Sequence, residues 1–195
     1  VGLASMAAYC NKPLAALNND NFAAIAQYIE HNYIIAPLRG HLTMAFTSNA
    51  WFIQDAFNPD RPELSSEKRA ERRATRDRWA MHHTRQWQQE GIGLEQCIFT
   101  GLPAAALELS GKLAPGRLGR AQMPLLQGDD SINFFPDGNP GLPVSPLALL
   151  ALQFMPMGCA KCGVGLLAVH ADDEALTLAF ARRFVSQNRD VVGLA

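Results

Sequence analysis

The chain has 195 residues, of which 48% are hydrophobic and 18% charged, and its formal net charge is −1. This composition allows one sizeable domain or two small ones and excludes global disorder. No apolar run is long enough to span a membrane. Four cysteines are too few for a small disulfide scaffold, so we expect a cytoplasmic protein whose thiols are free or bind metal.

The N-terminal region is predicted to be helical. Because the sequence starts within an apolar helical pattern and stops without a helix cap, we expect a fragment of a longer protein or the product of a split gene. A helix is predicted after Asn19 or Asp20, either of which can serve as its N-cap. Its apolar residues recur at the spacing of one buried face: Phe22, Ile25, Ala26 and Ile29.

A short aromatic helix is predicted next, within TSNAWFIQDAFNPDRP (residues 47–62). Ser48 or Asn49 can cap its start, and Pro59 and Pro62 close it.

A long basic helix is predicted from Ser65 or Ser66 to Gly91. Residues 65–85 hold seven basic and three acidic side chains, a local charge of +4. One helical face carries four arginines: Arg69, Arg72, Arg73 and Arg76. Trp79, His83 and Trp87 continue nearly the same face. This pattern indicates either a phosphate-binding surface or a solvated helix with local ion pairs and buried tryptophans.

The second half of the chain changes in character near Gly93. From there to Pro146 it is rich in glycine and proline, which predicts irregular β structure with loops. Pro146 fits the first turn of a helix, and VGLLAVH (residues 164–170) predicts a buried strand. Asp172 or Asp173 is predicted to cap a last helix. We expect three of its apolar side chains to point inward and two arginines outward: Leu176, Phe180 and Phe184, and Arg182 and Arg183.

The expected fold class is therefore α+β. A helical region at residues 1–92 contains the basic helix, and residues 93–195 form a mixed α/β region with a zinc-ribbon-like element.

That element is predicted at Cys159-Ala-Lys-Cys162-Gly163, which has the spacing of a zinc knuckle. A structural site needs two more ligands, and Cys97 is a candidate for one. The other would come from one of three residues: Cys10, His83 or His170. The alternative is that these are small buried cysteines without metal. Zinc is the one cofactor that this pattern suggests.

Nothing in the sequence joins a nucleophile to its base, so we do not expect an enzyme.

Several stretches together resemble one family: residues 37–59 (PLRGHLTMAFTSNAWFIQDAFNP), 97–104 (CIFTGLPA), 119–158 (GRAQMPLLQGDDSINFFPDGNPGLPVSPLALLALQFMPMG) and 169–184 (VHADDEALTLAFARRF). They are similar to the large subunit of type I CRISPR surveillance (Cascade) complexes, in the branch that contains the type I-B and myxobacterial forms. Family members are usually longer, and many have a fuller cysteine set. Here Thr100 stands where a second knuckle would place a cysteine.

The resemblance implies an RNA-guided antiviral role. The large subunit sits at the crRNA 5′ end beside the other end subunit and the backbone subunits. It recognises the protospacer-adjacent motif (PAM) in target double-stranded DNA, helps to open the duplex and guides the displaced strand. A separate helicase–nuclease or transposition machinery acts afterwards.

Two sets of residues are then candidates for DNA contact, and residues 1–92 become the DNA-contacting region. Contacts to the phosphate backbone are expected from Arg39, Lys68, Arg69, Arg72, Arg73 and Arg76. Base contacts in the PAM are expected from polar loop residues beside aromatic rings: Ser48, Asn49, Trp51, Gln54, Asn133, Phe134 and Asn139. If zinc is bound, its ligands are Cys97, Cys159 and Cys162.

Two other classes of function stay open. One is a small zinc-ribbon-like assembly scaffold without base readout. The other is a metal-dependent hydrolase that uses Asp129, Asp130 and His170. Salt-dependent DNA binding would separate the DNA-binding subunit from the scaffold.

Overall fold

The computed structural model describes residues 1–46, 50–89, 95–105, 113–119, 122–123 and 141–193. The chain divides into two compact units: unit 1 comprises Val1–Ala45 and Leu150–Ala195, and unit 2 comprises Phe46–Leu149. Helices mix with two small antiparallel sheets, which confirms the α+β class. The boundary predicted between residues 92 and 93 lies outside the described residues. None of the helices in the described ranges is long and apolar enough to cross a membrane.

The elements are few and mostly helical. The helices are α1 (Gly2–Cys10), α2 (Asn19–Asn32), α3 (Ala36–Leu42), α4 (Ser66–His83), α5 (Pro146–Phe154) and α6 (Glu174–Gly193). The strands are β1 (Arg117–Leu118), β2 (Leu142–Pro143), β3 (Ala160–Cys162) and β4 (Gly165–Leu167). Single 3₁₀ turns occur at Leu14–Ala16, Trp51–Ile53, Asp55–Phe57, Gln86–Gln88 and Met155–Gly158. β1 pairs with β2 and β3 with β4, and the boundary between the units falls within α5.

Unit 1 is a helical core around α1 and α6, which pack against each other and against the 3₁₀ turn at residues 155–158. Gly158 lies so close to Ser5 of α1 that an added Cβ would collide with its side chain. The largest fully buried side chains of this unit are Met6, Ile25, Ile29, Tyr33, Leu38, Leu42, Leu150, Phe154 and Met157. The close approach of α1 explains why a glycine ends this turn.

Buried polar side chains hold the end of α5 and the turn that follows it. The Tyr33 hydroxyl donates to the carbonyl oxygen of Gln153 at 2.6 Å, and His41 Nε2 bonds the carbonyl oxygen of Pro156 at 2.9 Å. Burial lowers the pKa of His41, against the opposing effect of that hydrogen bond. A neutral imidazole therefore donates a second hydrogen bond to a carbonyl oxygen that already accepts from the N–H of Cys159 at 3.1 Å.

Asn188 of α6 anchors the start of the β3–β4 hairpin. Its buried Nδ2 donates to the carbonyl oxygens of Met157 and Cys159, each at 2.9 Å. Two carbonyls are thus satisfied by one amide group, which ties α6 to the chain that enters β3.

Unit 2 is held by an arginine that the sequence did not single out. Arg117 is buried and forms a bidentate pair with Glu95, with Nε donating to Oε2 at 2.7 Å and Nη2 to Oε1. Its Nη1 also donates to the carbonyl oxygen of Gly141 at 2.9 Å. The hydrogen bond from Arg117 lowers the pKa of Glu95, although partial burial opposes the shift. The side chain of Arg117 therefore ties strand β1 to two other segments of the chain, at Glu95 and at Gly141.

The predicted helix starts and ends are partly wrong. The N-cap of α2 is Asn18, whose side chain and that of Asn21 each accept from the other's backbone N–H, at 3.1 and 3.2 Å. Ser65 caps α4, as predicted. However, α4 ends at His83 and not at Gly91, because Thr84 and Arg85 both bond back to the carbonyl oxygen of Ala80.

Two further expectations on packing are wrong. The run VGLLAVH is not a buried strand: β4 is short, and Val164 at the hairpin tip is 97% exposed. A two-stranded hairpin has too little area to bury an apolar run. In α6, Phe184 is buried and both Arg182 and Arg183 are exposed, as predicted, but Leu176 is 45% exposed. The buried face follows residues 177, 181, 184 and 188 instead.

Candidate nucleic-acid interface

The basic helix α4 begins on a loop that two of its own arginines hold in place. Arg69 donates through Nε to the carbonyl oxygen of Leu64 at 3.1 Å and through Nη2 to that of Pro62 at 3.2 Å. Arg72 donates through Nη1 to the carbonyl oxygen of Asn58 at 3.0 Å. Both arginines are half-buried. Part of the predicted phosphate-binding face therefore also stabilises the loop at residues 58–64.

The remaining basic residues of α4 have different surroundings. Lys68, Arg73 and Arg78 are exposed, and Arg76 is half-buried. Within the described ranges, none of these four pairs with a carboxylate. Arg61 differs, because it lies 3.0 Å from Asp55 and 3.5 Å from Glu63. The cations available to an anionic ligand are thus those of the helix and not that of the preceding loop.

A small pocket of about 300 Å³ lies beside α4. It is lined by Ala56, Lys68, Glu71, Arg72 and Thr75. The Thr75 hydroxyl donates to the carbonyl oxygen of Glu71 at 3.0 Å, so its proton is not available to a ligand in this pocket. Lys68 and Arg72 supply two positive charges against the one carboxylate of Glu71, a balance that favours a phosphate oxygen in this pocket.

The aromatic residues form a stack in unit 2. The rings of Trp51 and Trp79 are 4.5 Å apart at 28°, and those of Trp79 and His83 are 4.4 Å apart at 4°. Trp51 is only 3% exposed, and its indole Nε1 is buried without a hydrogen-bond partner among the described residues. Trp79 and His83 continue the arginine face, as the spacing predicted, and at this end of α4 the face packs inward.

The expected base-contacting residues fall into three groups. Ser48, Asn49, Asn133, Phe134 and Asn139 lie outside the described residues. Gln54 is exposed, directly after the 3₁₀ turn at residues 51–53. Trp51 occupies the aromatic stack and is buried there, so in this conformation its ring is not available to a base.

Arg39 lies on α3 and belongs to unit 1, whereas α4 belongs to unit 2. Its side chain is half-buried.

The three cysteines expected to bind zinc have different surroundings. Cys162 is exposed at the end of β3, whereas Cys97 and Cys159 are buried. The Cys159 thiol donates to the carbonyl oxygen of Met155 at 3.5 Å, and burial raises the pKa of Cys159 to about 11. No group of three or more metal-ligating side chains occurs in the part of the chain that the structure describes. Cys97, Cys159 and Cys162 therefore do not fit a zinc site.

Cys97 begins a tight turn with knuckle-like hydrogen bonds. The N–H of Cys97 donates to the carbonyl oxygen of Leu102 at 2.7 Å. The N–H of Gly101 donates to the carbonyl oxygen of Cys97 at 2.9 Å, and Gly101 has a positive φ of 68°. Burial raises the pKa of Cys97, but hydrogen bonds from Thr100, Ser145 and the Phe99 backbone outweigh it and hold that pKa below its usual value. Hydroxyl and backbone donors therefore satisfy this sulfur.

A comparison with protein-family models, curated proteins and solved structures finds no match to this chain.

Proposed function

We propose that this chain is a DNA-binding subunit of an RNA-guided type I CRISPR effector complex. In this role it recognises the PAM, helps to open target duplex DNA in the cytoplasm and is not itself an enzyme. Its partners are crRNA, the backbone and 5′-end subunits, and a separate helicase–nuclease or transposition machinery. The resemblance of four sequence stretches suggests this role, and the charge arrangement on α4 is the observation that carries it.

The chain is nearly neutral as a whole. A protein of net charge −1 can attract DNA only through a local positive surface. Lys68, Arg73, Arg76 and Arg78 are the α4 cations that remain for such a surface, since none of them is neutralised by a carboxylate of the described residues. Arg72 adds a guanidinium that is oriented by its bond to Asn58. An oriented guanidinium loses less side-chain entropy when it binds a phosphate.

Base readout is proposed first for residues that precede α4 in the sequence. Gln54 is exposed, and Ser48 and Asn49 precede it by a few residues. A short amide side chain can bond the acceptors at adenine N3 or thymine O2 in the minor groove, which mainly separates A·T from G·C pairs. Asn133, Phe134 and Asn139 are the second candidate segment. Trp51 would have to leave the aromatic stack to contact a base, so its role here is to support the segment.

The proposal is tested by the salt dependence of DNA binding. We expect the variant Lys68→Gln/Arg73→Gln/Arg76→Gln to bind duplex DNA more weakly whatever its sequence. The slope of log K against log salt should fall by about 2.7, at about 0.9 for each phosphate that the variant no longer neutralises.

Arg61→Gln is the matched control, because it removes a positive charge that two carboxylates already neutralise. It should leave the slope within about 0.3 of the wild-type value. A triple variant with the wild-type slope would refute binding through α4.

The assembly scaffold is the second candidate. Three large apolar side chains on the turn after Cys97 are about half exposed, namely Ile98 at 53%, Phe99 at 50% and Leu102 at 53%, and such a patch favours protein contact. A scaffold without DNA binding would show no salt slope in the same assay. This scaffold does not depend on zinc, since the three cysteines expected to bind it do not come together among the described residues.

A further inference from the structure

A groove on unit 1 lies far along the sequence from the basic helix and has its own arginines. It has a volume of about 650 Å³ and lies between α1 and α6. Its lining residues are Ala8, Arg182, Val185, Ser186, Arg189, Asp190 and Gly193. Drug-sized ligands occupy cavities of about 300 to 1,000 Å³, so the groove is large enough for a small molecule or for one unit of a polymer.

Three of these side chains form a row along one face of α6. Arg182, Ser186 and Arg189 are spaced by four and three residues, which places them on the same side of a helix. Seven residues of helix rise about 10.5 Å, a distance that two arginine side chains can bridge together. A single phosphate above Ser186 can therefore accept from both guanidinium groups.

The arginines of the row are available and one of them is oriented. Arg182 is exposed and has no ion-pair or hydrogen-bond partner among the described residues. The Arg189 guanidinium carbon lies 5.1 Å from the centre of the Tyr9 ring, a cation–π contact that restricts its rotamers. Arg183 is also exposed but does not line the groove.

The two ends of the groove differ in charge. Asp190 and Gly193 lie in the last turn of α6, where the carboxylate and the C-terminal end of the helix dipole both repel anions. A ligand whose phosphate lies at Arg182, Ser186 and Arg189 would present a ribose hydroxyl to Asp190, which accepts hydrogen bonds from hydroxyl groups. Ala8 and Val185 supply the apolar part of the groove's lining.

We infer that this groove binds a nucleotide unit, with its phosphate held by Arg182, Ser186 and Arg189 and a ribose hydroxyl donating to Asp190. The unit is either a free nucleotide or one residue of a single strand. The inference does not depend on α4 and goes beyond the proposed binding of duplex DNA.

The experiment is a titration of the full chain, followed by calorimetry, with adenosine 5′-monophosphate, with 2′,3′-dideoxyadenosine 5′-monophosphate and with a twelve-residue adenosine RNA strand. The wild-type chain should bind the free nucleotide, the strand or both. Binding of only one of them identifies the source of the unit. The dideoxy nucleotide should bind at least about threefold more weakly than its parent, because Asp190 loses its donor.

The double variant Arg182→Gln/Arg189→Gln should lose at least about tenfold in affinity, since each guanidinium makes a charge-assisted bond. Arg183→Gln is the matched control and should stay within about twofold. The double variant also removes the cation–π contact between Arg189 and Tyr9. If that loss unfolds the protein, the single variant Arg182→Gln, at an exposed position, replaces it in the test. Its affinity should fall about three- to tenfold.

Three results would overturn the inference. The first is that the wild-type chain binds neither the nucleotide nor the strand. The second is that Arg182→Gln binds with the affinity of the wild type. The third is that Arg183→Gln loses as much affinity as the double variant. Loss of duplex binding in the α4 variants leaves these measurements unaffected, so the two proposals fail separately.

Discussion

Arg72 and Arg73 are neighbours on α4 with different surroundings, and replacing each by methionine separates stability from DNA binding. Arg72 is half-buried and donates to the carbonyl oxygen of Asn58 at 3.0 Å, whereas Arg73 is exposed and has no such partner among the described residues. Methionine keeps most of the side-chain volume and removes every donor. The two variants therefore lose the same charge but only one loses a hydrogen bond.

The expected loss of stability follows from that bond. A hydrogen bond from a charged donor contributes about 1.5–3 kcal/mol when buried, and partial exposure reduces this to about 1 kcal/mol. For a chain of this size, about 1 kcal/mol lowers Tm by about 2–4 °C. Arg73→Met should change stability by no more than about 0.5 kcal/mol, since exposed substitutions usually do little.

Two measurements on the same samples check this prediction. Thermal unfolding followed by circular dichroism gives Tm, and fluorescence anisotropy with labelled duplex DNA at several salt concentrations gives the slope. Both variants should flatten the slope by about 0.9 if both arginines contact a phosphate. Equal Tm values for Arg72→Met and Arg73→Met would contradict the assignment of a structural role to Arg72.

Three more predictions follow from other parts of the chain. In a randomised-PAM binding assay, Asn49→Ala or Asn133→Ala should relax preference at one base position and keep non-specific binding; unchanged profiles for both would rule out both segments as base readers. Asn188→Ala should lower the free energy of unfolding by about 2–4 kcal/mol in urea titrations, because it leaves the carbonyl oxygens of Met157 and Cys159 buried without donors; a loss below about 1 kcal/mol would contradict this. Burial raises the pKa of Cys159 to about 11. The neutral thiol therefore contributes fully to stability below the pKa of the unfolded thiol, and this contribution is lost as pH rises through about 11. Cys159→Ala should reduce the decline of stability over this pH range, and an identical decline in the variant would exclude the thiol as the cause.

Local features were predictable because they depend on residues close in the chain. Ser65 begins α4 because its hydroxyl accepts from the N–H of Lys68, three residues away. Pro146 begins α5 because it has no N–H to leave unpaired there. The N-cap of α2 was predicted wrongly as Asn19 or Asp20. The N-cap is Asn18, because its side chain and that of Asn21 each accept from the other's backbone N–H.

The arginine face shows where local pattern stops being sufficient. Helical spacing correctly placed the arginines, Trp79 and His83 on one side, but it could not say whether that side faces water or the core. Trp51, which lies 28 residues earlier, stacks on Trp79, so the end of the face that holds Trp79 and His83 packs inward while Arg73 stays exposed. The bonds from Arg69 and Arg72 to loop carbonyls then follow from the loop's position against the helix.

Composition, helix caps and side-chain period thus establish an α+β chain with a strongly basic helix, because each depends on interactions within about one helical turn. Tertiary structure decided which cations are neutralised, which thiols are buried, and that Arg182 and Arg189 share a groove with Ala8. Those outcomes depend on contacts between segments distant in the chain. Burial of apolar surface selects such contacts, and a sequence pattern records only which face is apolar and not what covers it.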